Sequence, residues 1–420
     1  MSLIRDAEIE TTIGTYAAPL LEAAGLDDGT VRLHIVNDPG INAFIAGGPN
    51  LFLTSGMLAT AEEPGEIIGV LAHEIGHIAG GHLARTRGAM EDASAEMILA
   101  TILGAGAIIA GQGEVGSAIV VGGQTVAEQT FLRYSRAQEQ AADQAAVRLL
   151  ASTGQSASGL LHMFQRLEER ERLSPMQGNA YLRSHPLTRE RVRFIRDHLE
   201  EESGIADEAP EALRTAHDRM VAKLRGFLDP PERTLAAYAD ESTVARYARA
   251  IAHYRIPDLP RALAELDALL ALHPEDPWFH ELKGQVLFEN GRVREAIAPY
   301  GRAVALRENA ALLRLGLARA QIEAGDEALL ADAIGHLETA TRLERTEPGY
   351  WYHLGIARGR AGERAPSMLA FAESAYLRGD YDKALYHAGV AAEGLPHGSA
   401  SWLRAEDIRN AAEVATGRAR

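Results

Sequence analysis

Apolar residues recur at helical spacing over most of the chain, and only a short early region has the pattern of strands. Residues 5–25 fit an amphipathic helix, whereas VRLHIVND (31–38) and NLFLTSG (50–56) read as strands. Between them, INAFIAGGPN has turn residues at positions 47–50, which predict an extended arm and a hairpin. The predicted fold class is α+β, mainly α, with a small β-sheet.

Three further elements complete a predicted first domain, residues 1–200. Pro64 begins a helix of about twenty residues, since proline is favoured at the first helical position. A second helix covers 136–152, and a loop containing His185-Pro186 precedes an arginine-rich helix at 188–200.

Beyond residue 200 the sequence is helical throughout. An acidic stretch opens a predicted helical linker, 201–229, and a repeat domain follows at 230–420. Small residues recur there at spacings of 34, 37 and 34. They are Ala262, Ala296, Ala333 and Ser367.

This spacing resembles the tetratricopeptide repeat family over residues 230–395, and it predicts an α-helical solenoid. Such arrays offer a surface for peptides or partners, which favours docking. Ala384 comes only 17 residues after Ser367, so the last units are irregular and the repeat number stays open. A generic helical bundle is the alternative.

One apolar region, 97–111 followed by 117–123, is too short to span a bilayer. We expect a buried helix there. The alternatives are peripheral contact with a membrane and a segment that lines a cleft.

Composition narrows the chemistry. The 420 residues carry a net charge of -16, which argues against nucleic acid or anionic lipid as the main partner. Cysteine is absent, so a metal would be held by His, Asp or Glu. The first residues contain no apolar signal segment, so we expect a cytoplasmic protein or a mature form whose signal was removed.

The sequence HEIGH, 73–77, supplies a candidate zinc site. His73 and His77 are four residues apart, so on a helix both imidazoles can reach one ion. Glu74 can stand beside that ion and take a proton from water. Chance occurrence of this pattern is the weaker interpretation.

Two candidates exist for a third ligand. His82 lies one position before the histidine of the pattern HExxHxxGxxH, and on a continuing helix it points away. We expect it to be a supporting or surface residue unless a turn at 80–81 brings it back. Glu139 and Asp143 share one face of the helix 136–152, so Glu139 can bind zinc while Asp143 fixes the tautomer of a ligand histidine.

The segments GVLAHEIGHIAGGH, YSRAQEQAAD and SHPLTRERV together resemble the M48 family of zinc metallopeptidases. With the repeats, the chain is similar to the periplasmic branch of that family. The resemblance implies one Zn²⁺ per chain and a gluzincin-type domain. It implies these roles: zinc ligands His73, His77 and Glu139, general base Glu74, and Asp143 behind the ligands.

The resemblance also includes a loop histidine, His185, followed by Arg191. Either side chain can stabilise the oxyanion that forms when a peptide carbonyl is attacked. His185 can instead bind the zinc as a fourth ligand and keep the enzyme latent. A loop that only caps a helix is the plain structural interpretation.

Substrate binding is expected along an exposed sheet edge. The best candidate is INAFIAGG, with Asn42, Ala43 and Phe44 nearest the site. A buried strand has the same pattern.

The preferred interpretation is a zinc endopeptidase whose repeat domain docks a substrate or a partner. The resemblance implies misfolded or stalled outer-membrane proteins as substrates, a periplasmic location and contact with outer-membrane assembly machinery through the repeats. The alternative is a chaperone-like scaffold with a latent zinc site, against which the intact Glu74 argues.

Overall fold

A computed structural model describes residues 2–27, 29–82, 136–173, 180–201, 205 and 208–417 of the protein. The chain forms two compact units, Met1–Leu224 and Arg225–Arg420. The apolar region predicted at 97–123 lies outside the described residues. No described helix is long and apolar enough to cross a membrane.

The first unit contains a four-stranded sheet in the order β1-β2-β4-β3. Its strands are β1 (Leu3–Ile4), β2 (Arg32–Val36), β3 (Ala43–Ala46) and β4 (Asn50–Thr54). β2 runs parallel to β4, and β3 folds back antiparallel on β4. The predicted hairpin is therefore confirmed, and its turn uses Gly47 and Gly48 in the left-handed region, with φ of 63° and 97°.

The rest of the described first unit is mainly helical. The helices are α1 (Ala7–Ala23), α2 (Ser55–Thr60), α3 (Pro64–Ala79), α4 (described over 136–152), α5 (Ser158–Leu173), α6 (Ala180–Ser184), α7 (Arg189–Glu201) and α8 (Glu211–Leu228). Pro64 begins α3, as predicted. One apolar core joins the sheet to α1, α3 and α5, and Met220 and Leu224 of α8 belong to it.

Glycines let two helices approach α3 closely. A Cβ at Gly76 would lie 2.9 Å from the carbonyl oxygen of Ala142 in α4, and a Cβ at Gly69 would lie 2.7 Å from Leu160 in α5. Both distances are shorter than ordinary packing allows. The helix that carries HEIGH and the helix that carries Glu139 are therefore held backbone to backbone.

The second unit is built from helical hairpins. Its helices are α9 (Pro231–Ala237), α10 (Thr243–Arg255), α11 (Leu259–Leu272), α12 (Pro277–Glu289), α13 (Val293–Leu306), α14 (Ala311–Glu323), α15 (Glu327–Leu343), α16 (Pro348–Arg360), α17 (Arg364–Leu377), α18 (Tyr381–Gly394) and α19 (Ala400–Ala415). The hairpin turns of α12–α13, α14–α15 and α16–α17 use left-handed glycines, with φ of 67–79°.

The recurring small residues are the packing points of these hairpins. All four predicted positions are buried, and Oγ of Ser367 donates a hydrogen bond of 2.7 Å to the carbonyl oxygen of Gly355. Tyr300 fills the space that Gly284 and Gly316 leave, since a Cβ at either glycine would approach its ring to 2.7 Å. The predicted class, a small-sheet α+β domain followed by a tetratricopeptide-like helical array, is confirmed.

The irregular end of the array also has a structural form. Ala384 is buried in α18 at the same helical position that Ser367 occupies in α17, so two consecutive helices carry the small residue.

The predicted domain limits at 200 and 229 stay a prediction. The compact first unit runs to Leu224, where buried Lys223 of α8 places its Nζ 2.7 Å from Oδ2 of Asp6.

Candidate metal centre

Two histidines project from α3 onto one buried point. His73 is fully buried, and His77 is 9% exposed. Their Nε2 atoms lie 3.1 Å apart. The one-turn spacing of HEIGH produces this convergence, as the sequence predicts.

Glu139 reaches the same point from α4. Its Oε2 lies 3.4 Å from Nε2 of His73, and its Oε1 lies 3.4 Å from Nε2 of His77. The close approach at Gly76 positions α4 for this contact.

His185 completes the cluster from the loop that follows α6. Its Nδ1 lies 3.4 Å from Nε2 of His73 and 3.1 Å from Oε1 of Glu139. The ring stacks on Tyr181, with centroids 4.8 Å apart. Each of the four residues offers a ligand atom, and these atoms all lie within 4.8 Å of one another.

These distances fit a metal ion. Ligands about 2.0–2.1 Å from a tetrahedral zinc are separated from each other by about 3.3 Å. The candidate ligand atoms, which are imidazole nitrogens and carboxylate oxygens, are 3.1–3.4 Å apart and so agree with that value. Two imidazoles from α3 with a carboxylate are a donor set that suits zinc.

Asp143 and Arg191 support the cluster from behind. Oδ1 of Asp143 lies 2.9 Å from Nδ1 of His73, on the side of the ring opposite the cluster. Arg191 donates two hydrogen bonds to the same carboxylate, from Nε to Oδ2 at 2.6 Å and from Nη2 to Oδ1 at 2.9 Å. Its Nη1 lies 2.9 Å from Oε2 of Glu139 and donates to the carbonyl oxygen of Pro186. The guanidinium therefore holds both carboxylates.

Glu74 stands beside the cluster. Its side chain is buried, and neither of its carboxylate oxygens accepts a hydrogen bond from a described residue. Oε1 lies 3.4 Å from Nε2 of His185. A buried carboxylate without a donor is costly, so this group is placed for a ligand or a reaction.

His82 folds back against His77. Gly81 takes a left-handed conformation with φ of 63°, which turns the chain at the end of α3. Nδ1 of His82 then lies 3.0 Å from Nδ1 of His77, and the ring covers Gly80 so closely that a Cβ there would meet it at 2.6 Å. A turn at 80–81, the alternative to a continuing helix, therefore forms, and it places His82 against the ring of His77.

The charges of the cluster act strongly on one another. Burial lowers the pKa of His73, but Asp143 and Glu139 outweigh it and raise that pKa to about 9. Burial raises the pKa of Glu139, but hydrogen bonds from His185, His73 and His77 hold it well below its usual range. Glu74, Glu139 and Asp143 are all buried, and the guanidinium of Arg191 contacts only the last two. A divalent cation would therefore balance the ionised site.

The predicted substrate strand lies next to α3. β3, which contains Ala43 and Phe44, is one of the two edge strands of the sheet that the described residues form, and Asn42 precedes it. Phe44 stacks on Phe52 of β4, with centroids 5.0 Å apart.

Two site residues were absent from the sequence prediction. Tyr181 lies under the ring of His185, and Phe164 lies 4.9 Å below the guanidinium of Arg191. Tyr181 stands one helical turn before His185, which is a signal that sequence reasoning could have used. Phe164 is brought in by tertiary packing, so no local pattern identifies it.

Residues 4–199 match the profile of Peptidase family M48. The chain therefore contains an M48 peptidase domain, and it is a metalloendopeptidase that acts on protein substrates. The predicted resemblance to this family and the predicted enzyme class are confirmed.

Along most of its length the chain is similar to beta-barrel assembly-enhancing proteases. It is 26% identical to the one from Yersinia pestis over 396 residues, which is 91% of this chain and 79% of the relative. It is 25% identical to the one from Escherichia coli (strain K12) over 415 residues, 96% of this chain and 82% of the relative.

Two shorter likenesses cover one part of the chain each. Metalloprotease YcaL of Escherichia coli (strain K12) is 28% identical over 190 residues, 44% of this chain and 70% of that protein. A solved structure of YrrB, described as a TPR protein with an unusual peptide-binding site, is 19% identical and gives a TM-score of 0.35. The match covers 40% of this chain and 89% of that one.

Proposed function

We propose that this protein is a zinc-dependent endopeptidase. His73, His77 and Glu139 hold one zinc ion, and Glu74 is the general base. The convergence of buried ligand atoms within 4.8 Å of one another carries this proposal. Cleavage of unfolded casein by the zinc-loaded protein, and its loss in Glu74→Gln, tests it.

When bound, a zinc ion supplies Lewis-acid polarisation of the scissile carbonyl and of water. Glu74 takes the proton from the attacking water and later delivers it to the leaving amine. Its carboxylate is suited to this because no described residue donates a hydrogen bond to it. Asp143 keeps the proton of His73 on Nδ1, so Nε2 offers its lone pair to the metal.

His185 has two roles open to it. In the arrangement described, its Nδ1 lies among the ligand atoms, which favours the fourth-ligand position of a latent enzyme. In the same arrangement its Nε2 lies 3.4 Å from Oε1 of Glu74, so an imidazole that leaves the ligand position would remain beside the proposed base and could stabilise the oxyanion.

Arg191 was predicted to stabilise the oxyanion too. It is 2% exposed, and its guanidinium is engaged by Asp143, Glu139 and Pro186. These contacts favour a role for Arg191 as a positioning residue that holds the two carboxylates. We propose that role in place of oxyanion stabilisation.

Zinc itself is tested by metal analysis. The donor set of two imidazoles and a carboxylate favours zinc over magnesium or calcium, which prefer oxygen ligands. We expect about one zinc per chain. Activity of the protein without zinc would contradict the proposed zinc centre. A Glu139→Ala variant with the zinc content of the parent would contradict the proposed ligand set.

We propose misfolded or stalled outer-membrane proteins as substrates and the periplasm as the location. The similarity to beta-barrel assembly-enhancing proteases supports this. The repeat domain, 230–420, would dock the substrate or the outer-membrane assembly machinery, and the helical linker 201–229 would join it to the peptidase domain, 1–200. Substrate would add as a strand along Asn42, Ala43 and Phe44, at the edge strand β3 and the residue before it.

The scaffold alternative rests on His185. With that histidine among the ligands, the protein would bind unfolded chains but cleave them slowly.

Peripheral membrane contact through 97–123 is also part of the proposal, and sedimentation with vesicles of anionic and zwitterionic lipid tests it.

A further inference from the structure

His185 reaches the ligand cluster from a short stretch of backbone that is hydrogen-bonded on both sides. Its backbone N–H donates to the carbonyl oxygen of Tyr181 at 2.7 Å, and Oγ of Ser184 donates to the same oxygen at 3.1 Å. On the other side, the carbonyl oxygen of Pro186 accepts a hydrogen bond from Nη1 of Arg191. Because the backbone is held in this way, the place of the imidazole depends on the rotation of the His185 side chain.

The ring of Tyr181 covers one face of that imidazole. The two residues are four positions apart at the end of α6, so their side chains lie one helical turn from each other. Their ring centres are 4.8 Å apart and the ring planes differ by 28°, which is a stacked arrangement.

The ligand histidines contact the same imidazole in another way. The ring centres of His73 and His77 each lie 5.2 Å from that of His185, and the planes are inclined at 78° and 65°. His185 therefore meets the ligand histidines edge to face and Tyr181 face to face. A rotation about χ1 that takes the imidazole away from the ligand atoms also takes it out of the stack.

Tyr181 is itself anchored in the core of the first unit. It is 1% exposed and packs in the apolar cluster that joins the sheet to the helices. Burial, and then the charge of Glu74, raises the pKa of its hydroxyl well above the usual value, so the side chain is neutral at physiological pH. Its effect on His185 is therefore that of a fixed, uncharged ring.

We infer that Tyr181 is a positioning residue that keeps His185 among the ligand atoms and so sets how readily the metal centre opens. The inference rests on the fourth-ligand role proposed for His185, and it names the residue that regulates that role. An aromatic pair of this kind shifts an equilibrium about two- to tenfold. Loss of the Tyr181 ring should raise the share of molecules in which His185 has left the cluster by that factor.

The test measures how readily a small metal-binding probe displaces His185. The full chain is loaded with Co²⁺, whose visible absorption reports its ligands, and acetohydroxamate is titrated in. The probe needs free coordination positions on the ion, so its apparent Kd falls as the share of open molecules rises. The readout is an equilibrium and does not depend on peptide cleavage.

Tyr181→Leu removes the ring but keeps the carbonyl oxygen to which His185 and Ser184 donate. It is expected to lower the Kd of acetohydroxamate about two- to tenfold. Tyr181→Phe keeps the stack and is expected to match the parent. If Tyr181→Leu does not fold, Tyr181→Met takes its place, because the flexible methionine side chain fills irregular gaps in a core.

Tyr16→Leu is the matched control. Tyr16 is equally buried in the same core, and its hydroxyl lies 3.4 Å from the carbonyl oxygen of Leu213 in α8. Its replacement removes a buried ring without touching the stack on His185, so the Kd of acetohydroxamate should stay at the parent value.

A second background separates a held imidazole from a site that is merely loosened. In His185→Ala the imidazole is gone, so this variant should bind acetohydroxamate more tightly than the parent. Adding Tyr181→Leu to it should change the Kd no further, because the two residues act through one contact.

Four results are decisive. A lower Kd in Tyr181→Leu that disappears in the His185→Ala background, with Tyr181→Phe like the parent, supports the inference. The same decrease in both backgrounds, no decrease in either, or an equal effect of Tyr181→Phe overturns it and leaves His185 as a fourth ligand. An equal Kd for the parent and His185→Ala overturns the fourth-ligand role together with the inference. A parent protein that does not bind Co²⁺ contradicts the proposed metal centre, and the inference fails with it.

Discussion

Nδ1 of His185 lies 3.4 Å from Nε2 of His73, a residue 112 positions earlier in the chain. A loop side chain thus lies among the candidate ligand atoms that the helices supply. The same imidazole is 3.4 Å from Glu74 through its other nitrogen. One residue therefore touches both the ligand cluster and the proposed base.

Removing the imidazole should open the centre. We expect His185→Ala to keep its zinc, since His73, His77 and Glu139 remain, and to cleave unfolded casein about tenfold faster than the parent. His162→Ala, at an exposed histidine of α5, is the control and should change nothing. If His185→Ala retains zinc and loses cleavage outright, His185 is not a fourth ligand that keeps the enzyme latent. That result would favour a catalytic role for His185.

His82 should set the affinity for the metal through His77. Its Nδ1, 3.0 Å from Nδ1 of His77, fixes which ring nitrogen faces the metal. We expect His82→Ala to weaken zinc binding by about 10–100-fold in a chelator competition, with the fold intact. Zinc affinity equal to that of the parent would show that His82 only packs over Gly80.

Substitution of Arg191 should distinguish a structural role of this residue from a catalytic one. Arg191→Gln leaves Asp143 and Glu139 without their buried partner, so the free energy of unfolding should fall by about 3–5 kcal/mol. Arg148→Gln, on the exposed side of α4, should change it by less than about 0.5 kcal/mol. Denaturant unfolding measures both. Unchanged stability with a selective loss of kcat would restore the predicted oxyanion role of Arg191.

The close approach of α3 and α4 should be sensitive to a single methyl group. Gly76→Ala places a Cβ 2.9 Å from the carbonyl oxygen of Ala142, so we expect a loss of about 1–3 kcal/mol of stability and weaker zinc binding, because α4 carries Glu139. Gly14→Ala in α1 is the matched control. Nothing lies within 4 Å of its added Cβ, so it should stabilise the helix by about 0.5–1 kcal/mol. Equal effects of the two changes would refute the packing argument.

The sequence predicted those parts of the site that depend on local geometry. HEIGH places His73, Glu74 and His77 by helical spacing alone, and ExxxD relates Glu139 to Asp143 in the same way. That these two motifs meet was known only through resemblance. The meeting depends on the glycine contacts along α3, which no spacing rule describes.

Long-range packing accounts for what the sequence did not predict. The parallel pairing of β2 with β4 joins strands that are not consecutive, and β1 is too short to be detected as a strand. The engagement of Arg191 by two carboxylates brings together residues about fifty positions apart. In the second unit, by contrast, a repeated spacing describes neighbouring contacts, so the small residues were identified correctly.

The central claim is that the buried cluster is a catalytic metal centre whose base is Glu74. The most direct measurement compares unfolded casein cleavage by zinc-loaded His185→Ala with that by His185→Ala/Glu74→Gln, each with its zinc content determined. The account predicts that both bind zinc and that only the first cleaves, with cleavage lost when zinc is chelated. Equal cleavage by the two proteins would contradict the role of Glu74, and cleavage by His185→Ala that persists after its zinc is removed would contradict the claim that this is a catalytic metal centre.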